Sequence, residues 1–382
     1  MYYVGFFAGK SMINHRLSVS PAGQTKMEYI AATIGETIEK VTVISPAWLK
    51  EKRYGYYPTS YEKDKKYDCI QLSTIGVKTK IGTVVQWLYS LGQLTFFLLT
   101  KLKKNDVIVV YHSLYLVIPV MIAKAIRKVK VVLELEEVYQ DVKKYPKIVE
   151  ALERKIIKSA DSYILSTEAL SREIVANRPY IVVNGVYRQE PPRMVTFKDG
   201  KIHCVYAGTF DPTKGGAAAA AAAAEFLPEN YHVHILGFGT EEQKKQLQEL
   251  IAAVQKKTKC TLTYDGLKSG EEYIQFLQKC HIGLCTQIPD AKYTETSFPS
   301  KVLVYLANGL RVLSVRIPAV ENSAVGGILY YYDNQLPQEI ANAIMSIPME
   351  EDYNSRQLLN QLDEDCENNL KRLMEKMNNE LD

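Results

Sequence analysis

Short apolar runs alternate with amphipathic segments of ten or more residues along most of this chain, and the alternation runs twice. In the first half YYVGFFA, VTVISPA, DVIVVYH, KVVLELE and SYILST read as buried strands. Between them SPAGQTKMEYIAATIGETI, the stretch 81–102, LVIPVMIAKAIRK and YPKIVEALERKIIKSA have helical spacing. Strands joined by helices of that length pair in parallel through right-handed crossovers, which gives a doubly wound α/β domain. After IVVNGVY the periodicity stops at RQEPPRMVTFKDGK, with its paired prolines and Gly200. It resumes through IHCVYAG, YHVHILGFG, TLTYDG, HIGLCT and RVLSVR, each followed or preceded by a helical segment. A length of 382 residues also exceeds the roughly 250–300 at which one core stops growing. The expected division is a first domain over 1–187, a linker at 188–200, a second domain over 201–351 and a helical tail over 352–382 that packs back. Ala217 to Ala224 form an unbroken alanine run, a strong helix former without polar and apolar faces, suited to close packing on a sheet.

Composition excludes several classes. The apolar share of 47% and charged share of 24% are those of a soluble globular protein, so disorder and fibrous repeats are excluded. Six cysteines lie scattered without a Cys-x-x-Cys pair, which argues against a disulfide framework and a zinc site. Cys280, His281 and Cys285 read as a helix end running into a buried strand, and no metal is expected. The N-terminus has neither the basic region nor the cleavage site of a secretory signal, so a cytoplasmic protein is expected. Net charge is +4 but uneven: KTK, TKLKK and KAIRKVK fall between Lys78 and Lys130, around Trp87, Phe96 and Phe97. Such a surface is either the solvated face of a domain helix or a contact with an anionic membrane. The run 84–99 is too short and too polar to span a bilayer. No nucleic-acid partner is expected.

In open α/β sheets ligands bind outside the carboxyl ends of strands. Three junctions in the second half are of interest. YAGTFDPTKGG ends a strand at Gly208 and Thr209 and supplies Lys214 as a point charge beside paired glycines. HILGFG lacks the third glycine and acidic residue of a dinucleotide fingerprint and reads as a tight turn. SFPSKVLVYLANG opens a helix, with Pro299 expected at the first helical position, Ser297 or Phe298 in the cap, and Ser300 and Lys301 in the first turn. Its unpaired N–H groups suit a diphosphate.

Taken in order, IVVNGVY, YAGTF with KGG, HILGFG, YDGL and SFPSKVLVYLANGLRVLS resemble the GT-B fold glycosyltransferases, specifically family 4. VVLELEEVY and FPSK are similar to the subset that builds bacterial surface polysaccharides, such as capsule or exopolysaccharide. The resemblance implies two Rossmann-like domains facing across a cleft, and transfer of a sugar from a nucleoside diphosphate-sugar to a saccharide or lipid-linked saccharide. It implies retention of configuration, no metal and no cofactor beyond the donor. By position it assigns Lys214 to the donor diphosphate, Gly266 and Leu267 to the nucleobase, and Ser297, Phe298, Pro299, Ser300 and Lys301 to phosphates and sugar. Gly23 would sit in the loop after the first strand, and His112 near the transferred sugar. The arginine expected near Thr209 is absent. The two glutamates of the family fall at Thr296 and Val304, with Glu295 one residue before the first. An inverting reaction would instead need a base from Glu136, Glu137 or His112. A catalytically weak partner subunit and a nucleotide-sugar epimerase are the other readings, because fold does not fix function.

Overall fold

The computed structural model describes residues 1–9, 19–49, 52–142, 145–289 and 292–379. The chain divides into two compact units, Met1–Val183 with Asp365–Asp382, and Asn184–Glu364.

The first unit contains β1 (Tyr2–Val4), α1 (Pro21–Thr37), β2 (Val41–Ser45), β3 (Gly55–Tyr57), β4 (Ser60–Lys63), β5 (Tyr67–Gln71), β6 (Thr74–Gly76), α2 (Lys80–Lys101), β7 (Val107–Tyr111) and α3 (Val117–Arg127). It continues with β8 (Lys130–Leu135), α4 (Tyr139–Val142), α5 (Lys147–Ser159), β9 (Ser162–Leu165), α6 (Ala169–Ile174) and β10 (Tyr180–Val182). Its sheet runs β10-β9-β8-β7-β1-β2-β5-β4, parallel but for the β4 edge. The inner strands are nearly continuous apolar runs because both faces are covered. Val4, Ile108, Val110, Leu133 and Leu135 pack with Leu94 and Leu98 of α2 in one core. The segment between β2 and α2 is a feature the strand–helix alternation does not show. There Asp64 accepts a bond from Lys66 N (3.2 Å) and closes the β4–β5 hairpin, while β3 and β6 form a separate antiparallel ribbon. Among the described residues no helix is long and apolar enough to cross a membrane.

The second unit contains β11 (Ile202–Thr209), α7 (Gly216–Ala223), β12 (Tyr231–Phe238), α8 (Glu241–Gln255), β13 (Thr261–Gly266), α9 (Gly270–Lys279) and β14 (Ile282–Cys285). Then come α10 (Lys301–Ala307), β15 (Arg311–Val315), α11 (Pro318–Glu321), β16 (Tyr330–Tyr332), α12 (Pro337–Met345) and α13 (Ser355–Asn379), whose residues from Asp365 onward belong with the first unit. All six strands are parallel in the order β13-β12-β11-β14-β15-β16, so the order reverses between β11 and β14. The alanine run is α7, most of its side chains buried against the sheet, α8 and α12. The stretch 188–200, expected as a linker, is tied to this unit. Glu190 N donates to Ala307 O (3.0 Å), Arg193 N to Gln278 Oε1 (2.9 Å), and Arg193 pairs with Glu271.

Candidate functional site

At the carboxyl ends of the second unit's strands the chemistry gathers where the order reverses. Tyr206 of β11 donates to Thr209 O (2.9 Å), which lays its ring across the strand end. Gly208 and Gly216 leave room for that ring: a Cβ on either would come within 3.1 Å of the Tyr206 hydroxyl. Lys301, the first residue of α10, places its ammonium 4.0 Å from the Tyr206 ring centroid and 3.0 Å from where a Gly208 Cβ would stand. Lys214 is exposed on the turn after β11. Its carbonyl accepts from Ile288 N (3.0 Å), so the loops after β11 and β14 are joined. Gly215 turns with φ +65°, a left-handed conformation that a side chain resists, and its backbone leads into α7. Two lysines and bare glycine backbone beside the switch point suit an anionic ligand.

Other expected residues occupy distinct places. Thr209 ends β11, and its hydroxyl accepts from Asp211 N (3.3 Å) in the turn. Gly266 ends β13 with φ +77°, followed by the exposed Leu267. Glu295 is exposed at the end of a 3₁₀ turn, and Phe298 is buried. The expected helix entrance is corrected. Val302 N donates to Pro299 O (3.0 Å), a 3₁₀ bond, so Ser297 and Pro299 precede the helix, Ser300 is its N-cap and Lys301 its first residue. With seven residues and no side-chain cap, α10 offers a weak dipole. The entrance therefore supplies Lys301 more than it supplies an N-terminus.

In the first unit the carboxyl ends of β1, β7 and β8 hold a buried polar cluster. Lys26 of α1, almost fully buried, pairs with Glu136 (2.6 Å). Tyr3 of β1 donates to the carboxylate of Glu134. Burial, reinforced by Glu136, raises Glu134 to about 8 against the opposing pull of Lys26. Its carboxyl is therefore largely protonated at neutral pH. His112 follows β7, its ring stacked on Tyr139 (4.8 Å) and its Nε2 3.5 Å from Glu153 Oε1. Burial lowers His112 to about 4, so the imidazole is neutral, and its side chain is only 1% exposed. It positions Tyr139, whose hydroxyl donates to His112 O (3.0 Å), rather than presenting itself to solvent. Glu137 is half-buried beside this cluster. Gly23, expected in a loop, lies in the first turn of α1. Ser20 Oγ caps its N–H (3.3 Å), and a Cβ there would stand 2.7 Å from the Tyr111 hydroxyl.

Tyr3, Lys26, Glu134, Glu153 and Tyr206 escape the sequence reading. For Glu134 and Lys26 the signal is a charged residue at an inward position: Glu134 interrupts the apolar run VVLELEE, and Lys26 falls on the apolar face of α1. A surface cavity of about 390 Å³, lined by Met1, Tyr2, Glu39 and Asp106, lies at the opposite, amino end of this unit's strands.

No family model matches the chain, and no curated protein matches it in sequence. Among solved structures it is similar to trehalose-6-phosphate synthase from E. coli bound with UDP-2-fluoro glucose, at 10% identity over 99% of each chain with a TM-score of 0.68. It is similar to a UDP-forming α,α-trehalose-phosphate synthase from Burkholderia xenovorans in complex with glucose-6-phosphate, at 12% identity over 99% of each chain and a TM-score of 0.68. It is also similar to HepE from Anabaena in complex with UDP and glucose, at 12% identity over 100% of this chain and 98% of that one, with a TM-score of 0.60. The fold is GT-B, built from two Rossmann-like domains. The likeness carries the fold and does not single out family 4.

Proposed function

We propose that this chain is a glycosyltransferase that moves a sugar from a nucleoside diphosphate donor to an acceptor hydroxyl. The observation that carries the reading is the Lys301 ammonium over Tyr206, beside the bare backbone of Gly208 where the strand order reverses. The structural relatives support it, since their structures hold UDP-2-fluoro glucose, or UDP and glucose, or belong to a UDP-forming enzyme. The bond from the anomeric carbon to the diphosphate breaks, a bond to the acceptor oxygen forms, and the hydroxyl proton is released. Lys214 and Lys301 offset the charge that builds on the leaving diphosphate, the task of fixed positive groups in group transfer. This scheme gives a metal no part, and the family 4 resemblance favours retention and an acceptor in surface-polysaccharide synthesis. Turnover of radiolabelled uridine and guanosine diphosphate sugars tests the reading, with Lys214→Ala and Lys301→Ala as controls. A panel that is neither bound nor hydrolysed removes it.

One observation favours a second reading, a catalytically weak partner subunit. Val304, half-buried on α10, has no hydrogen-bonding side chain where the resemblance places a carboxylate. That reading is selected if nucleotide binds without turnover. We also propose work at a cytoplasmic membrane face. α2 exposes Ile81, Leu88 and Phe96 among the basic segments around Lys78 and Lys101. Liposome sedimentation without salt-sensitive binding to anionic lipid would exclude it.

A further inference from the structure

Four of the six histidines in the chain meet in the second unit, far from the strand ends where a donor would bind. The cause is periodicity. In YHVHILGF of β12, His232 and His234 are two residues apart and therefore share a face of the sheet. The parallel register then sets His203 of β11 beside His232. His203 Nδ1 lies 2.9 Å from His234 Nε2, and the His232 and His234 rings stack at 3.8 Å. One ring nitrogen from each of the three histidines falls within 4.8 Å of the others.

We propose that His203, His232 and His234 bind a single divalent transition-metal cation, with Zn²⁺ as its simplest occupant. Nitrogens about 2.0–2.1 Å from a tetrahedral zinc stand about 3.4 Å apart. The close pair must open, and the His232 ring, stacked on His234 with 24° between the planes, must turn about its side-chain bonds so that its lone pair converges on the same point. In His203 and His234 the ring nitrogen away from the facing pair is already held by a carboxylate, and the His232 ring meets a hydroxyl. His203 Nε2 meets Asp199 Oδ1 (2.8 Å), His234 Nδ1 meets Asp265 Oδ2 (3.0 Å), and His232 Nε2 meets Thr263 Oγ1 (3.0 Å). Thr263 in turn donates to Asp265 (2.7 Å). An imidazole whose far N–H is held by a carboxylate is fixed in tautomer and orientation and is a more basic ligand. Asp199 and Asp265 also match the charge of the ion. Phe197 stacks on His203 (4.1 Å) and His234 (5.1 Å), and Phe276 closes the His234 edge (5.1 Å), so apolar rings wall the site. His281 is not a ligand here, because its Nδ1 accepts from His203 N (2.9 Å). Three imidazoles leave a fourth position for water.

The role is structural. His203 lies five residues before Gly208, about 16 Å along β11 at strand rise, so the ion cannot reach a donor at the carboxyl ends. It would tie β11 and β12 to each other and, through Asp199 and Phe197, to the segment entering β11.

The test uses the full chain, stripped with a chelator that is then removed and titrated with ZnCl₂ by calorimetry and thermal unfolding. One Zn²⁺ per chain and a raised unfolding temperature reversed by chelator are expected. His232→Gln, at a half-buried ring, should weaken binding at least ten-fold while leaving the far-ultraviolet spectrum unchanged, and Asp265→Asn should weaken it by about 10–100-fold. Should a variant fail to fold, the cobalt-loaded unmodified chain still decides, by tetrahedral absorption without a thiolate band. The proposal is overturned by absence of stoichiometric binding at micromolar Zn²⁺, by undiminished affinity in His232→Gln, or by a thiolate band. The same cluster acting only as hydrogen-bonded imidazoles would give the first of these outcomes.

Discussion

The protonated carboxyl of Glu134 makes the stability of the first unit depend on pH in a direction opposite to that of most acidic residues. An ordinary carboxyl at 4.5 is ionised in the unfolded chain at neutral pH, whereas burial holds Glu134 near 8 in the folded one. Folding therefore takes up a proton. The contribution of this group is fully present below pH 4.5, falls as pH rises, and is lost above about 8. Over that interval, at about 1.4 kcal/mol per pH unit, the loss is on the order of 5 kcal/mol. Glu134→Gln replaces the protonated acid by a neutral isostere, whose amide oxygen accepts from Tyr3 and whose NH₂ donates to Glu136. The variant escapes the proton requirement, so its stability relative to the unmodified chain should rise by several kcal/mol between pH 5 and pH 8. Both tryptophans, Trp48 and Trp87, lie in the first unit, their rings 5.8 Å apart, so fluorescence during urea unfolding reads that unit alone. Parallel stability–pH curves for the two proteins would refute the assignment of the proton to Glu134.

In the second unit, Gly237→Ala should cost at least about 2 kcal/mol in urea unfolding, because φ is +140° and a Cβ would stand 1.7 Å from Gly208 O. Lys301→Met should weaken binding of uridine diphosphate by about ten-fold or more, the loss of a charged hydrogen bond, with little change in thermal stability; equal affinity would remove Lys301 from the anion site. Val304→Glu should strengthen nucleotide binding about two- to ten-fold if α10 faces a ribose, and calorimetry with uridine diphosphate measures it. Thr240→Ala removes the capping box that Thr240 and Gln243 form at α8 and should destabilise by about 1 kcal/mol on thermal unfolding.

The parts of this molecule that sequence discloses are those written in local periodicity. Parallel strands covered on both faces are apolar for most of their length, so β7, β8, β12 and β15 announce themselves, and the helices between them follow from spacing. The places of Gly208, next to last in β11, and Lys214, in the turn after it, follow from local sequence. Pairings across the sheet were not: Lys26 meets Glu136, and Tyr3 meets Glu134, across more than a hundred residues. His112 shows the difference within one residue, since its position after β7 is local while its enclosure by Tyr139 and Glu153 depends on where α4 and α5 return. The histidine pair of YHVH is an intermediate case. Its shared face follows from strand periodicity alone, but the third imidazole arrives only through the β11–β12 register. Sites built across parallel strands are thus hidden from a linear reading in proportion to the crossovers that separate their members. For that reason the buried carboxyl and the histidine cluster depended on the structure, while the place of Lys214 on the turn after β11 did not.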